Sequence, residues 1–219
     1  NLQDLGMGEF IDSHDLVFRL GDSPVGFMGR TGKEIDYGSR TDVLVHSFND
    51  HDRPELEQDV NWLRSLKYFL EPMVRSYETP VQEEWFKKIG VPVHNVPDHH
   101  LKSDNKWNKG KPGYIYDYLG SLPNTGFIGL LTMLNYDVKH LYMTGFTFYN
   151  MGNWSEDGNC YFDEWYKTEK YKKHGLNESR LHNPSHDIKH FRDILKVEKH
   201  RSKIKLDEYL TKHFGEDNE

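Results

Sequence analysis

The segment from His182 to Asp187 combines residue types that can move a proton. Pro184 predicts a helix start, so His182 stands just outside that helix and Asp187 stands in its first turn. Histidine is a natural general base near neutral pH, and the helix dipole favours a carboxylate in the first turn. We predict that His182 and Asp187 serve catalysis. The alternative is a capping motif whose histidines lie at the surface.

Residues 122–150 hold a polar turn, an apolar helix and a buried strand. Asn124 or Thr125 can cap the helix, and Gly126 lets another group approach the backbone closely. A helix N-terminus of this kind can hold an anion. The strand that follows ends near Gly145. The alternative is an ordinary capped core helix.

A third segment, residues 8–41, is a polar turn that leads into a strand with Arg19 near its end. The alternative for Arg19 is a solvated sheet edge.

Among thirteen histidines, His99 and His100 are the strongest metal candidates, but no zinc-type spacing is present. No Walker A loop or nucleophile elbow appears, and packing is the default role for Cys160.

Composition limits the class of protein. The 219 residues carry a net charge of −7, which argues against a general nucleic-acid binder. No apolar run approaches the length of a membrane span, so membrane association is not visible. The single cysteine forbids an intrachain disulfide and favours a reducing, cytoplasmic-type compartment. The length fits one domain, residues 1–219, and the alternative is two small domains.

Alternating helix and strand patterns predict an α/β fold with one parallel or mixed sheet and helices on both faces. Ligands in such sheets lie at the carboxyl ends of strands, where Gly21, Asn49 and Gly145 stand. Residues 21–38 are rich in glycine and predict mostly loop. The other predicted strands are residues 15–20, 42–48, 67–74, 91–96 and 203–206, and the other main helices are residues 54–66, 80–89, 184–196 and 207–213.

In order and spacing, the three segments resemble the sialyltransferase family, glycosyltransferase family 29. Residues 11–19 and 38–41 are similar to its long donor motif. Residues 123–126 with 141–146 are similar to its short motif. His182, four further residues and Asp187 are similar to its very short motif, in which the second position is normally glutamate. The residues that carry the resemblance are Ile11-Asp12-Ser13-His14-Asp15-Leu16-Val17-Phe18-Arg19, Gly38-Ser39-Arg40-Thr41, Pro123-Asn124-Thr125-Gly126 and Leu141-Tyr142-Met143-Thr144-Gly145-Phe146.

The resemblance implies a Rossmann-like α/β/α sandwich of the GT-A type with a mostly parallel sheet. It implies an inverting, metal-independent transfer of a sialic-acid- or Kdo-like sugar from a CMP-sugar donor to a glycan hydroxyl, without a cofactor. His182 would be the catalytic base. The donor would be held by Asn1, Arg19, Asn124, Thr125, Gly126, Gly145 and Phe146.

The chain departs from the family pattern at several positions. If Asn1 is the motif asparagine, the first strand of the family fold is missing from this sequence. Gly21 stands where the family has asparagine, with Asp22 beside it. Asn135 stands where animal enzymes have a disulfide cysteine, which indicates a non-animal-like member.

Aromatic residues of two long loops are candidates for stacking on an acceptor sugar, namely Trp107, Trp154 and Trp165. The alternative is that they pack under a loop. Two other functions stay open. The chain could be a non-catalytic nucleotide- or glycan-binding domain of the same fold, or a metal-dependent hydrolase that uses the histidine loop.

Overall fold

A computed structural model describes residues 4–21, 25–29, 31–46, 53–71, 79–95, 124–146 and 184–215. The chain divides into two units, Leu2–Leu101 and Lys102–Glu219 together with Asn1. Both units combine helices with parallel strands, which confirms the α/β class. The assignment of the whole chain to one domain stays a prediction. Within the described residues, no helix is long and apolar enough to cross a membrane.

The first unit is built on a four-stranded parallel sheet in the order β1-β2-β3-β4. Its elements are α1 (Gly8–Asp12), β1 (Phe18–Leu20), a 3-10 turn (Phe27–Gly29), α2 (Glu34–Tyr37), β2 (Val43–Val45), α3 (Arg53–Leu56), a second 3-10 turn (Glu57–Asp59), α4 (Val60–Ser65), β3 (Tyr68–Glu71), α5 (Thr79–Ile89) and β4 (Val93–Asn95).

One face of this sheet packs on the segments that connect the strands. Leu44 of β2 and Phe69 of β3 lie side by side in the register and are fully buried. They form a core with Leu63 of α4 and Phe86 of α5. On the opposite face Val45 is also fully buried. Strand β2 is therefore covered on both faces, as its near-continuous apolar sequence predicts.

Two predictions about the first unit are wrong in detail. The single helix predicted at residues 54–66 is interrupted, because the Asp59 side chain accepts a hydrogen bond from the Trp62 N–H and so caps a new helix. The glycine-rich stretch predicted as mostly loop contains α2 and a 3-10 turn. Helix α2 packs closely on α1, since a Cβ at Gly8 would lie 1.9 Å from the Glu34 carbonyl oxygen.

The second unit contains a parallel pair of strands packed against helices. Its core contains Phe127, Leu130 and Leu134 from one stripe of α6 (Thr125–Leu134), together with side chains of the other elements. Almost all of α6 after its first turn is buried, as expected for a helix that is apolar on every side. The elements are α6 (Thr125–Leu134), β5 (Leu141–Met143), α7 (Pro184–Leu195), α8 (Glu198–Arg201), β6 (Ile204–Leu206) and α9 (Glu208–Phe214).

Candidate functional site

Helix α6 starts at a capping asparagine, as the sequence predicts. The Asn124 backbone is extended, and its side-chain oxygen accepts a 2.8 Å hydrogen bond from the Phe127 N–H. Asn124 is buried, whereas Thr125 and Gly126 are half-exposed. The sequence allowed either Asn124 or Thr125 as the cap, and in the structure the cap is Asn124. Thr125 is the first residue of the helix.

Asp187 holds the other end of the same asparagine side chain. It lies in the first turn of α7 and is fully buried. Its Oδ2 accepts a 2.5 Å hydrogen bond from Asn124 Nδ2 and lies 3.4 Å from the Asn124 backbone nitrogen. Two predicted site residues 63 positions apart in the chain are therefore in direct contact.

This contact fixes the geometry of the α6 N-terminus. A primary amide both donates and accepts, and here Asp187 takes the donor end while the Phe127 N–H takes the acceptor end. The Asn124 side chain therefore has one defined orientation. The N–H groups of Thr125 and Gly126 belong to the first turn, which has no acceptors within its own helix. With the helix dipole, these half-exposed groups can receive an anion.

The end of β5 is held by a residue that the sequence analysis did not single out. Asp207 Oδ2 accepts hydrogen bonds from the Gly145 N–H at 3.1 Å and from the Thr144 hydroxyl at 2.9 Å. Its Oδ1 accepts from the Leu210 N–H at 2.7 Å and so caps α9. An aspartate just before a helical pattern predicts the cap, but no local signal indicates its bonds to β5.

The two donor residues predicted at this strand end differ in surroundings. Gly145 is exposed and has φ of +72°, a conformation that glycine adopts without steric cost. Its N–H is bonded to Asp207. Phe146 packs against the core of the second unit. Donor binding by Gly145 and Phe146 stays a prediction.

Comparisons with protein-family models, curated proteins and solved structures found no match. Among the described residues, no group of three or more metal-ligating side chains is present. His99 and His100 lie outside those residues.

In the first unit, Arg19 is buried, with 3% of its surface exposed. Its guanidinium donates hydrogen bonds to the Tyr37 and Arg40 carbonyl oxygens. The alternative that Arg19 lies on a solvated sheet edge is therefore wrong. Arg19 joins β1 to the segment before β2, and its role in donor binding stays a prediction.

The two parts of the long-motif resemblance are joined by a polar network at the amino ends of the strands. Asp12 accepts hydrogen bonds from the Ser39 N–H and hydroxyl and from the Arg40 N–H. Arg40 also binds the Asp42 carboxylate at 2.6 Å. Asp42 in turn accepts a bond from the Val17 N–H. We call Asp12, Arg40 and Asp42 the amino-edge network.

Both carboxylates of the amino-edge network are held ionised. Burial raises the pKa of Asp12, but hydrogen bonds from Ser39 and Arg40 and the charge of Arg19 outweigh burial and hold this pKa below its ordinary value. Burial likewise raises the pKa of Asp42, but its bonds to Lys67 and Val17 and the nearby positive charges outweigh burial and hold this pKa below its ordinary value. Ligands of parallel sheets lie at the carboxyl edge, so we interpret this network as structural.

The remaining predicted site residues lie outside the described residues. They are Asn1, Trp107, Trp154, Trp165 and His182.

Proposed function

We propose that the chain is an inverting, metal-independent glycosyltransferase of the sialyltransferase kind. It would transfer a sialic-acid- or Kdo-like sugar from a CMP-sugar to a glycan hydroxyl. The parallel strands of both units are compatible with the Rossmann-like GT-A architecture that this proposal includes.

The hydrogen bond between Asn124 and Asp187 is the observation that carries the proposal. Asn124 belongs to the segment similar to the short motif, and Asp187 to the segment similar to the very short motif. A ligand site made from both motifs requires the two segments to be neighbours. Their contact is therefore expected of a transferase of this kind, whereas an isolated capping motif does not require it.

Phosphate binding and proton removal would take place at the starts of two different helices. At α6, the N–H groups of Thr125 and Gly126 would bind the phosphate of CMP and stabilise the negative charge that develops as CMP leaves. At α7, His182 would remove the proton of the attacking acceptor hydroxyl. Because CMP leaves with one phosphate, the clamp that a metal ion provides for a diphosphate is less needed.

Ligand binding tests the nucleotide specificity. We expect CMP to raise the Tm of the full chain and to bind more tightly than UMP, as measured by thermal denaturation and titration calorimetry. We also expect transfer from CMP-N-acetylneuraminic acid or CMP-Kdo to continue in EDTA. Equal affinity for CMP and UMP together with no consumption of either CMP-sugar would overturn the proposal.

The role of His182 is tested by His182→Ala, with His186→Ala as the matched control on the same segment. Loss of a general base lowers kcat by about 10²- to 10⁴-fold, while the affinity for CMP should change little. His186→Ala should keep transfer close to wild type. If CMP binds to the wild-type chain but no acceptor is glycosylated, the chain is a nucleotide-binding domain and not a transferase.

A further inference from the structure

The second unit carries an excess of positive charge where its two parallel strands begin. Residues 137–140 precede β5, and residues 196–205 run from the end of α7 through α8 into β6. The Leu141 N–H donates a 2.8 Å hydrogen bond to the Lys203 carbonyl oxygen, and Leu141 pairs with Ile204. The two stretches are therefore neighbours at the amino ends of the strands. Together we call them the basic end.

The basic end is positive although the chain as a whole is negative. It contains six lysine or arginine residues and two acidic residues, which give it a net charge of +4 against −7 for the whole sequence. Five of the six cationic side chains are exposed, and that of Lys203 is half-buried. An imbalance of this kind decides which side of a molecule meets a charged partner. The cations are Lys139, Lys196, Lys199, Arg201, Lys203 and Lys205.

Ion pairs neutralise little of this charge within the part of the chain that the structure describes. Lys196 Nζ lies 3.6 Å from Asp193 Oδ1, but both side chains are largely exposed, so the pair is screened by solvent. Lys199 and Lys205 form no ion pair with another described residue. Their charges are therefore available to an external anion.

The imidazole of His200 senses the positive potential of the basic end. Burial lowers the pKa of His200, and the positive charges of Lys199 and Lys203 lower this pKa further. Both lysines therefore act on one side chain of α8. An anionic surface placed against them would relieve their mutual repulsion.

Two large apolar side chains are exposed at the same end of the unit. Val197 is 47% exposed, and its carbonyl oxygen accepts hydrogen bonds from the His200 and Arg201 N–H groups, which fixes its backbone at the start of α8. Tyr136, immediately before the basic end, is 39% exposed. Apolar and aromatic side chains among lysines are typical of a surface that rests on a lipid interface.

We propose that the basic end docks the chain on an anionic lipid bilayer. The lysines would meet lipid headgroups, while Val197 and Tyr136 would enter the boundary between headgroups and acyl chains. The phosphate backbone of a nucleic acid also attracts lysines but makes no use of an exposed valine, so the apolar side chains favour the bilayer. Docking of this kind needs no membrane-spanning segment.

The basic end lies apart from the candidate phosphate site of the same unit. Helix α6 has ten residues and is about 15 Å long, with Thr125 and Gly126 in its first turn and Tyr136 just beyond its other end. Docking therefore leaves the start of α6 uncovered. The inference goes beyond the proposed function and does not depend on it, since it rests on charge and exposure alone.

Vesicle binding by the full chain tests the docking surface. The chain is sedimented with vesicles of phosphatidylcholine alone and with vesicles that also contain about 30% phosphatidylserine. We expect a partition coefficient at least about tenfold higher for the anionic vesicles, and a steep fall between about 0.05 and 0.5 M NaCl. Absence of binding to the anionic vesicles, or equal binding to both kinds, overturns the proposal.

A matched pair of variants tests the location of the surface. Lys199→Gln and Lys189→Gln each remove one charge from an exposed helical lysine of the second unit, but Lys189 lies in the first half of α7, outside the basic end. Lys199→Gln should lower the partition coefficient about fivefold, and Lys199→Gln combined with Lys205→Gln about 30-fold. Lys189→Gln should stay within about twofold of wild type. Equal losses in the two single variants overturn the assignment to the basic end.

Val197→Ser separates a bilayer from another polyanion. Val197 is the N-cap of α8 and makes no side-chain cap, so serine, a favoured N-cap, should not lower the Tm. Binding to anionic vesicles should weaken about threefold through loss of apolar contact. An unchanged partition coefficient overturns the role of the apolar side chain, and tighter binding to single-stranded RNA or heparin than to anionic vesicles at equal salt overturns the choice of a bilayer. The affinity for CMP, measured without vesicles, should be unchanged in every variant, so failure of docking is distinct from failure of the proposed function.

Discussion

The amino-edge network of the first unit and the Asn124–Asp187 pair of the second both join segments that are distant in the sequence. In the network the connections are shared, since Asp12 accepts three hydrogen bonds and Asp42 contacts both Arg40 and Lys67. In the second unit the fully buried carboxylate of Asp187 holds the amide of Asn124. One arrangement is shared among several residues and partly solvated, whereas the other is fully buried at Asp187.

This difference separates two uses of polar residues. Redundant bonds tolerate the loss of one member, and the side chain of Arg40 remains 37% exposed. Solvent can therefore replace part of what a substitution removes. A buried pair has no such replacement, and removal of one partner leaves a desolvated group behind. The network is suited to bracing a sheet, and the pair is suited to orienting one helix terminus.

The largest effect is expected for Asn124→Asp. Two carboxylates would then face each other in a buried site where they cannot both be ionised. We expect the free energy of unfolding at pH 7 to fall by about 3 kcal/mol, similar to breaking a buried ion pair. Urea denaturation measures this change. Asn135→Asp, which places the same charge at the exposed C-terminal end of α6, is the matched control and should cost less than about 1 kcal/mol.

Exchanging the residues at positions 124 and 187 tests whether their hydrogen bond causes this loss of stability. In Asn124→Asp combined with Asp187→Asn, the carboxylate still accepts from the Phe127 N–H, and the new amide can donate to it. The double variant should recover most of the lost free energy, to within about 1 kcal/mol of wild type. If it is no more stable than Asn124→Asp alone, the hydrogen bond is not what couples the two helices.

Capping could be predicted from the sequence at two helix starts of the second unit, those of α6 and α9, whereas the contacts across the unit could not. Asn124 before an apolar run and Asp207 before a helical pattern are local signals, and both residues cap. The bond from Asn124 to Asp187 and the bonds from Asp207 to Gly145 join residues more than sixty positions apart. Such contacts depend on how elements pack, which local propensity does not specify.

Burial was the least predictable property of the first unit. Arg19 alternates with apolar residues and so suggests a solvated edge, but the carbonyl groups of Tyr37 and Arg40 make its burial possible. His46 ends an apolar strand and carries no motif, so nothing in the sequence indicates that it lies beside Glu71. The register of β2 and β3 was needed to place His46 and Glu71 next to each other.

An intermediate effect is expected for Gly38→Ala, because the amino-edge network depends on the space that this glycine leaves. Gly38 has φ of +74° and ψ of +169°, a conformation open essentially to glycine. A Cβ there would lie 2.4 Å from an Asp12 carboxylate oxygen. We expect a loss of about 2–3 kcal/mol in urea denaturation.

Gly32→Ala is the matched control for that substitution. Gly32 also has positive φ, but a Cβ there would meet no heavy atom of the described residues within 4 Å. Its cost should be limited to backbone strain, about 1 kcal/mol. Equal losses in the two variants would mean that Gly38 contributes only backbone freedom and that its contact with Asp12 is unimportant.

The smallest effect is expected for Asp42→Asn, because the redundant network keeps its other bonds. The pKa of Asp42 is lowered in the folded chain, so its ionised form stabilises the fold above the ordinary aspartate pKa. This contribution is lost as pH falls below about 4 and through the lowered value. Asp42→Asn should therefore cost about 1 kcal/mol at pH 7, and it should make the free energy of unfolding fall less steeply below about pH 4.

Asp15→Asn removes an exposed charge from the same unit and should stay within about 0.5 kcal/mol of wild type at pH 7. A loss at Asp42 as large as that of Asn124→Asp would show that the network is not redundant and that the two units use their carboxylates alike.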